Sequence, residues 1–101
     1  MENNLEFLKN NLPVEERLCA LAEEASELAQ AALKLRRVYD QTSPTIVTYE
    51  EAVGNLHEEI ADVMTCVRVL GLDSERNVRL QGQISQEKMQ RWVKRISGRS
   101  V

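Results

Sequence analysis

Two stretches of the chain carry apolar residues at alternating spacings of three and four. This pattern is typical of helices that pack along a narrow seam. In the first stretch these residues are Leu18, Leu21, Ala25, Leu28, Ala32 and Leu35. In the second they are Tyr49, Val53, Leu56, Ile60, Val63, Val67 and Leu70. Since both stretches lack proline and are rich in strong helix formers, the sequence predicts two long helices whose apolar residues form the core.

Helix boundaries can be read on either side of these stretches. Residues 1–12 favour one short helix, and Pro13 suits the first turn of the next helix, where its missing N–H costs nothing. That helix is expected to reach about Arg37, and 39–47 is the clear loop. Thr48 with Glu51 three residues later reads as a capping box that opens the third helix.

The end of the chain adds one more helix. Gly71 is expected to end the third helix, and Asp73 to cap a fourth that reaches about Ile96, with Gly82 as a point of bending or interruption. The 101 residues leave no room for a second core. We therefore predict one all-α domain over 1–101, an antiparallel bundle of about four helices. Its modest core favours a homo-oligomer.

Charge and cysteine content narrow the function classes. A formal net charge of −3 gives no basis for nucleic acid as a partner, because phosphate neutralisation needs a basic face. Cys19 and Cys66 form no C-x-x-C pair, so we expect buried free thiols in a reducing compartment. No apolar stretch approaches a membrane span, and the Met-Glu-Asn-Asn start does not resemble a signal peptide. The expected location is the cytoplasm, without a membrane partner.

Acidic residues occupy the same register beside both seams. With Ala25 and Ile60 at heptad position a, Glu24 and Glu59 both fall at g. Three residues on, Glu27 and Asp62 both fall at c, so each pair shares one helix face. In an antiparallel hairpin the g positions border one another, and we therefore expect these four carboxylates to converge.

Unpaired carboxylates in such an arrangement repel one another by about 4 kcal/mol per pair at 4 Å and an effective dielectric of 20. Oxygen ligands select hard cations such as Mg²⁺ or Mn²⁺, and Mg²⁺ commonly binds phosphates as well. The small residues Ala20 and Ala31 continue the stripe and leave space above the carboxylates. A single Glu pair is most often a solvated surface feature, but two matching pairs in one register favour a metal site for a phosphate-bearing substrate.

The two acidic motifs are Glu23-Glu24-Ala25-Ser26-Glu27 and Glu59-Ile60-Ala61-Asp62. They resemble the E-E-x-x-E and E-x-x-D signature of the MazG-like all-α nucleoside triphosphate pyrophosphatase superfamily. Asn55-Leu56 and the Glu87-Lys88-Met89 run are also similar to that superfamily, and the resemblance covers about residues 15–96.

The resemblance implies Mg²⁺-dependent cleavage of a nucleoside triphosphate to the monophosphate and pyrophosphate, in a homodimer or homotetramer. By matching position, Glu24, Glu27, Glu59 and Asp62 would be the metal ligands, with Mn²⁺ as a substitute ion. Glu23 would assist as a further ligand or orient the attacking water, which makes Glu23 and Glu24 the candidate catalytic residues.

Candidate phosphate ligands are basic or amide side chains. They are Lys34, Asn55, Lys88, Arg91 and Arg95. For each basic residue a solvated surface role is an equal alternative. The 31 residues between Glu27 and Glu59 slightly exceed the superfamily's usual gap, which leaves the substrate open, including the phosphoribosyl-ATP used by a related branch.

The main alternative is a non-catalytic helical dimerisation module that keeps an acidic metal-binding stripe. Trp92 is expected in a core or interface rather than against a base. A di-iron carboxylate bundle uses Glu-x-x-His, but Gly54 stands three residues before His57, so this interpretation is set aside.

Overall fold

The computed structural model describes residues 2–98, and within this range the chain is helical without a strand. The helices are α1 (Asn4–Asn11), α2 (Val14–Asp40), α3 (Tyr49–Val69) and α4 (Glu75–Gly98). The all-α prediction with four helices is confirmed. The chain divides into two compact units, the first ending at Gly71 and the second beginning at Leu72. The prediction of one domain over 1–101 stays a prediction.

Polar side chains cap three of the helices at their N-termini. The side-chain oxygen of Asn3 accepts a hydrogen bond from the Glu6 N–H at 2.9 Å, which opens α1. The Thr48 hydroxyl accepts from the Glu51 N–H at 3.1 Å, so the predicted cap of α3 is confirmed. Ser74, rather than Asp73, caps α4, because its hydroxyl accepts from the Asn77 N–H at 3.2 Å.

The ends of α2 and α3 turn through left-handed residues. α2 extends to Asp40, beyond the expected end at Arg37, and stops where Gln41 has φ 58°. There the Thr42 N–H donates to the Arg37 carbonyl at 3.0 Å. Gly71, with φ 75°, follows α3 as predicted. α4 runs through Gly82 without interruption, since a helix tolerates a single glycine at modest cost.

α2 and α3 form an antiparallel hairpin. At its open end, the Arg17 Nη1 on α2 donates to the Val69 carbonyl on α3 at 3.0 Å. At its closed end, the rings of Tyr39 and Tyr49 meet edge to face with centroids 5.8 Å apart. Residue numbers therefore rise along one helix as they fall along the other. α1 packs on α3, which completes the first unit.

The line of contact between α2 and α3 differs from the predicted seam. Leu18 is 52% exposed and Ile60 is 42% exposed, although both were predicted to lie in the core. Ala31, at 2% exposure, is buried instead, and Glu24 and Glu59 are half-buried in the contact line. The contact line therefore lies closer to the acidic side of each helix than predicted, and the prediction of Leu18, Ala25, Ala32, Tyr49 and Ile60 as core was wrong for the chain by itself.

The position of this contact line gives the hairpin two chemically different sides. By helical geometry, the apolar residues flanking the contact line on α2 and α3 lie on one side of an antiparallel pair, and the polar flanks lie on the other. The exposed residues on the apolar side are Val14, Leu18, Ala25, Ala32, Tyr49, Ile60 and Met64. The polar side carries Glu27, Lys34 and Asn55.

The remaining expectations concern thiols and membranes. Both cysteines are free, as predicted, but Cys19 is exposed and Cys66 half-buried rather than both being buried. Within residues 2–98, no helix combines the length and apolarity that crossing a bilayer requires.

Candidate metal and phosphate site

Three carboxylates from α2 and α3 meet on the polar side of the hairpin. Glu24, Glu27 and Glu59 each offer an oxygen, and these oxygens all lie within 4.8 Å of one another. Glu24 and Glu27 are one turn apart on α2, and Glu59 faces them from α3 because the hairpin is antiparallel. The predicted convergence of Glu24 with Glu59 is therefore present, between the helices rather than beside them.

Two oxygens of this cluster are buried without a hydrogen-bond partner. They are the Oε2 atoms of Glu24 and Glu59, and no donor within the described residues reaches either one. A buried polar atom normally has a partner, and leaving a charged oxygen unpartnered is costly. Carboxylate oxygens are the ligand type that hard cations such as Mg²⁺ prefer, so these three side chains could hold such an ion.

The electrostatic environment of the cluster raises the pKa values of two of its carboxyls. Burial raises the pKa of Glu24 above its ordinary value, and the charges of Glu27, Asp62 and Glu59 raise it further. Burial and the neighbouring charges of Glu27 and Asp62 raise the pKa of Glu59 in the same way. Both carboxyls resist ionisation because their negative forms repel one another in a partly dry space. A bound cation would reverse this balance.

Two other predicted acids lie outside the three-residue cluster. Asp62 is exposed, and its carboxylate oxygens are not among those that converge. Its negative charge nevertheless raises the pKa values of Glu24, Glu59 and the Cys66 thiol. Glu23 is exposed beside Glu24. Asp62 thus borders the cluster, whereas Glu23 does not join it.

A cavity of about 390 Å³ extends from the carboxylates along α2. Its lining comprises Glu27, Gln30, Ala31, Lys34, Arg37, Asn55 and Glu59. Lys34 and Asn55 were predicted from sequence, and Ala31 provides the expected space. The sequence pattern had not pointed to Gln30 and Arg37, although Gln30 follows Glu27 by three residues and Arg37 follows Lys34 by three, a spacing that places each pair on one helix face.

The basic residues predicted near the end of the chain lie in the second unit. Lys88, Arg91 and Arg95 line a groove of about 470 Å³ on α4 together with Trp92. Trp92 is 59% exposed, so it does not lie in a core of the described chain, and the alternative that it lies in an interface stays a prediction. The three cations share one side of the helix, as their spacing predicted.

Comparison with known proteins gave no match, since no family model fits the sequence and neither a curated protein nor a solved structure resembles the chain significantly.

Proposed function

We propose that this protein is a Mg²⁺-dependent nucleoside triphosphate pyrophosphohydrolase of the MazG-like all-α superfamily. It would cleave a nucleoside or deoxynucleoside triphosphate to the monophosphate and pyrophosphate. The observation that carries this proposal is the meeting of Glu24, Glu27 and Glu59 within 4.8 Å, beside a cavity that also holds Lys34 and Arg37. Carboxylates suited to a metal and cations suited to phosphate thus lie in or beside one cavity.

The donor set supports a hard cation. Glu24, Glu27 and Glu59 would hold Mg²⁺, or Mn²⁺ in its place, with Asp62 joining from the next turn of α3. The partnerless oxygens of Glu24 and Glu59 are the atoms that such an ion would satisfy. When bound, the metal supplies charge stabilisation and a more acidic water.

The protein's own residues position the reactants. In the proposed reaction a water oxygen bonds to the α-phosphorus while the bond from that phosphorus to the αβ-bridging oxygen breaks. The bonding electrons leave with pyrophosphate, and the water proton passes to a carboxylate of the site and then to solvent. Glu23 would orient the water or complete the ligand set. Such transfer depends mainly on positioning and charge, so a nucleophilic side chain is not required.

We also propose that the protein acts as a homo-oligomer, a homodimer or homotetramer. The support is the exposed apolar side of the hairpin, where Leu18, Ile60 and Met64 are each more than two-fifths exposed. Water contact with a contiguous apolar face is unfavourable, and such faces mark interaction sites. A second hairpin laid on this side would bury it and leave the polar side with its cavity open to substrate.

The alternative is a non-catalytic interaction module. The same apolar side favours it, as does α4, whose apolar residues Met89, Trp92 and Val93 are all exposed. In that case the carboxylates would bind metal for stability without turning over a nucleotide.

Pyrophosphate release from a panel of canonical and modified triphosphates, with and without Mg²⁺, separates the two proposals. Phosphoribosyl-ATP belongs in the panel. The enzyme proposal expects release that requires Mg²⁺ and falls at least about 100-fold in Glu59→Gln, given that even residues supporting metal ligands are worth 10–100-fold. Glu58→Gln is the matched control, because Glu58 is exposed beside Glu59 and outside the cluster. If no triphosphate yields pyrophosphate, the module proposal stands.

A further inference from the structure

We propose that Lys34 and Arg37 form a subsite for the terminal phosphates of the substrate, so that the polyphosphate chain runs along α2 from the carboxylates toward Asp40. This inference rests on the proposed function and deepens it. It assigns Arg37 a role that neither the acidic motifs nor their spacing indicated. It also predicts that the site distinguishes ligands by their number of phosphate groups.

The geometry of the cavity supports this direction. Along α2 the lining residues follow one another in the order Glu27, Lys34, Arg37, with Gln30 and Ala31 between. At 1.5 Å per residue, Lys34 lies about 10 Å and Arg37 about 15 Å beyond Glu27 along the helix axis. Side chains on a helix lean toward its N-terminus, so both cations reach back toward the carboxylates. The cavity therefore changes from anionic to cationic along its length.

The two cations have no competing anion. Among residues 2–98, no carboxylate lies within ion-pairing distance of Lys34 or Arg37. The Arg37 Nε donates to the Leu33 carbonyl at 3.3 Å, which holds the guanidinium at its Nε end. The two terminal nitrogens of the guanidinium remain available to a ligand. Its neighbour Arg36 differs, since it does not line the cavity and pairs with Asp40 at 3.3 Å.

A polyphosphate matches this arrangement better than a single phosphate. Its inner phosphate groups would share the metal with Glu27 and Glu59, while its terminal group would accept from the forked guanidinium of Arg37 and from Lys34. The side-chain amides of Gln30 and Asn55 line the cavity between these ends and offer N–H donors. The cavity volume of about 390 Å³ lies within the range of ligand sites.

In the proposed reaction the terminal phosphates leave as pyrophosphate. Lys34 and Arg37 would therefore contact the leaving group, and their charge would stabilise it as the α-phosphorus to bridging-oxygen bond breaks. A diphosphate substrate would lack the group that reaches Arg37. We expect triphosphates to be preferred over diphosphates, and this preference to depend on Arg37.

Calorimetric titration with inorganic tripolyphosphate, pyrophosphate and phosphate in excess Mg²⁺ tests the subsite without turnover of a nucleotide. We expect affinity to rise with phosphate number in the wild type. Arg37→Gln and Lys34→Gln should each weaken tripolyphosphate binding by about 10-fold to 100-fold, the usual effect of one charge-assisted contact. Arg36→Gln is the matched control, with the same charge change on the adjacent residue, and should leave affinity within about two-fold.

The outcomes separate the subsite from the enzyme proposal. If Arg36→Gln weakens tripolyphosphate as much as Arg37→Gln, the effect is general electrostatics and the subsite is wrong. If the wild type releases pyrophosphate from triphosphates and Arg37→Gln changes neither KM nor tripolyphosphate affinity, the subsite fails while the enzyme proposal survives. If no triphosphate is cleaved but Arg37→Gln selectively loses tripolyphosphate, the subsite holds and the enzyme proposal fails. Circular dichroism melting of each variant confirms that it is folded.

Discussion

Glu24 on α2 and Glu59 on α3 each place one carboxylate oxygen in the space between the helices, where neither oxygen has a hydrogen-bond partner within the described residues. The contact line of the hairpin thus contains two acids that repel each other and whose pKa values are both raised. A helix pair without a metal gains nothing from this arrangement, whereas a cation turns the repulsion into shared ligation.

Replacing Glu59 with glutamine should have opposite effects on stability without and with metal. In chelator, Glu59→Gln removes a repelling charge, so we expect its melting temperature to exceed that of the wild type by a few degrees. Millimolar Mg²⁺ should raise the melting temperature of the wild type and leave the variant unchanged, since binding to the folded state stabilises it. Thermal melts of both proteins, with Glu58→Gln as control, check this. If the melting temperature of Glu59→Gln still rises with Mg²⁺, Glu59 is not a metal ligand.

Stability without metal should depend on pH through Glu24 and Glu59. A carboxyl whose folded pKa exceeds its unfolded value stabilises the fold fully below the unfolded pKa, near its ordinary value, and loses that contribution as pH rises through the raised pKa. The melting temperature of the wild type in chelator should therefore fall relative to Glu24→Gln/Glu59→Gln as pH rises from acid to neutral. Parallel pH profiles for the two proteins would contradict the raised pKa values.

Arg17 should contribute more to stability than an exposed arginine of the same helix. Its Nε donates to the Leu12 carbonyl at 3.1 Å and its Nη1 to the Val69 carbonyl at 3.0 Å, so it ties α2 to the ends of both neighbours. We expect Arg17→Met to lower the free energy of unfolding by about 1–3 kcal/mol.

Urea denaturation at one protein concentration measures this loss. Arg36→Met, which breaks an exposed ion pair with Asp40, should cost less than about 0.5 kcal/mol. Equal losses in the two variants would mean that the Arg17 hydrogen bonds contribute no more to stability than the exposed ion pair of Arg36 does.

Gln41 holds a left-handed backbone conformation that suits glycine better. At φ 58° its side chain crowds the backbone, so Gln41→Gly should raise the free energy of unfolding by up to about 1 kcal/mol. Ala29→Gly, at an exposed position inside α2, should lower it by about 1 kcal/mol. Chemical denaturation of both variants provides the comparison, and a loss of stability in both would show that the Gln41 side chain makes a stabilising contact.

The proposed assembly predicts that a charge on the apolar side of the hairpin dissociates the oligomer. Leu18→Glu should shift the sedimentation coefficient toward that of a monomer, because an unpaired charge in an apolar interface is strongly unfavourable. Leu33→Glu is the control, since Leu33 is 53% exposed against 52% for Leu18 but lies on the outer side of α2. A wild-type protein that sediments as a monomer at all concentrations would refute the assembly.

Much of the fold follows from local sequence signals. The heptad spacing predicted α2 and α3, Thr48 predicted the start of α3, and Gly71 predicted its end. These predictions are confirmed because helix formation and capping depend on residues within about one turn of each other. The shared register of Glu24 and Glu59 likewise predicted that the two acids meet, since an antiparallel hairpin brings equivalent flanks together.

The sequence by itself therefore determined that the chain is helical, where α2 and α3 lie and that Glu24 and Glu59 face each other. Only the tertiary structure decided that the contact line runs through Glu24 and Glu59 and leaves Leu18 and Ile60 exposed, and that Arg37 joins Lys34 in the cavity. The physical reason is that heptad spacing locates the apolar stripe on each helix but does not fix which edge of the stripe faces the partner helix. Which edge of the stripe is buried depends on how α2 and α3 rotate against each other, and that rotation is a property of their packing together.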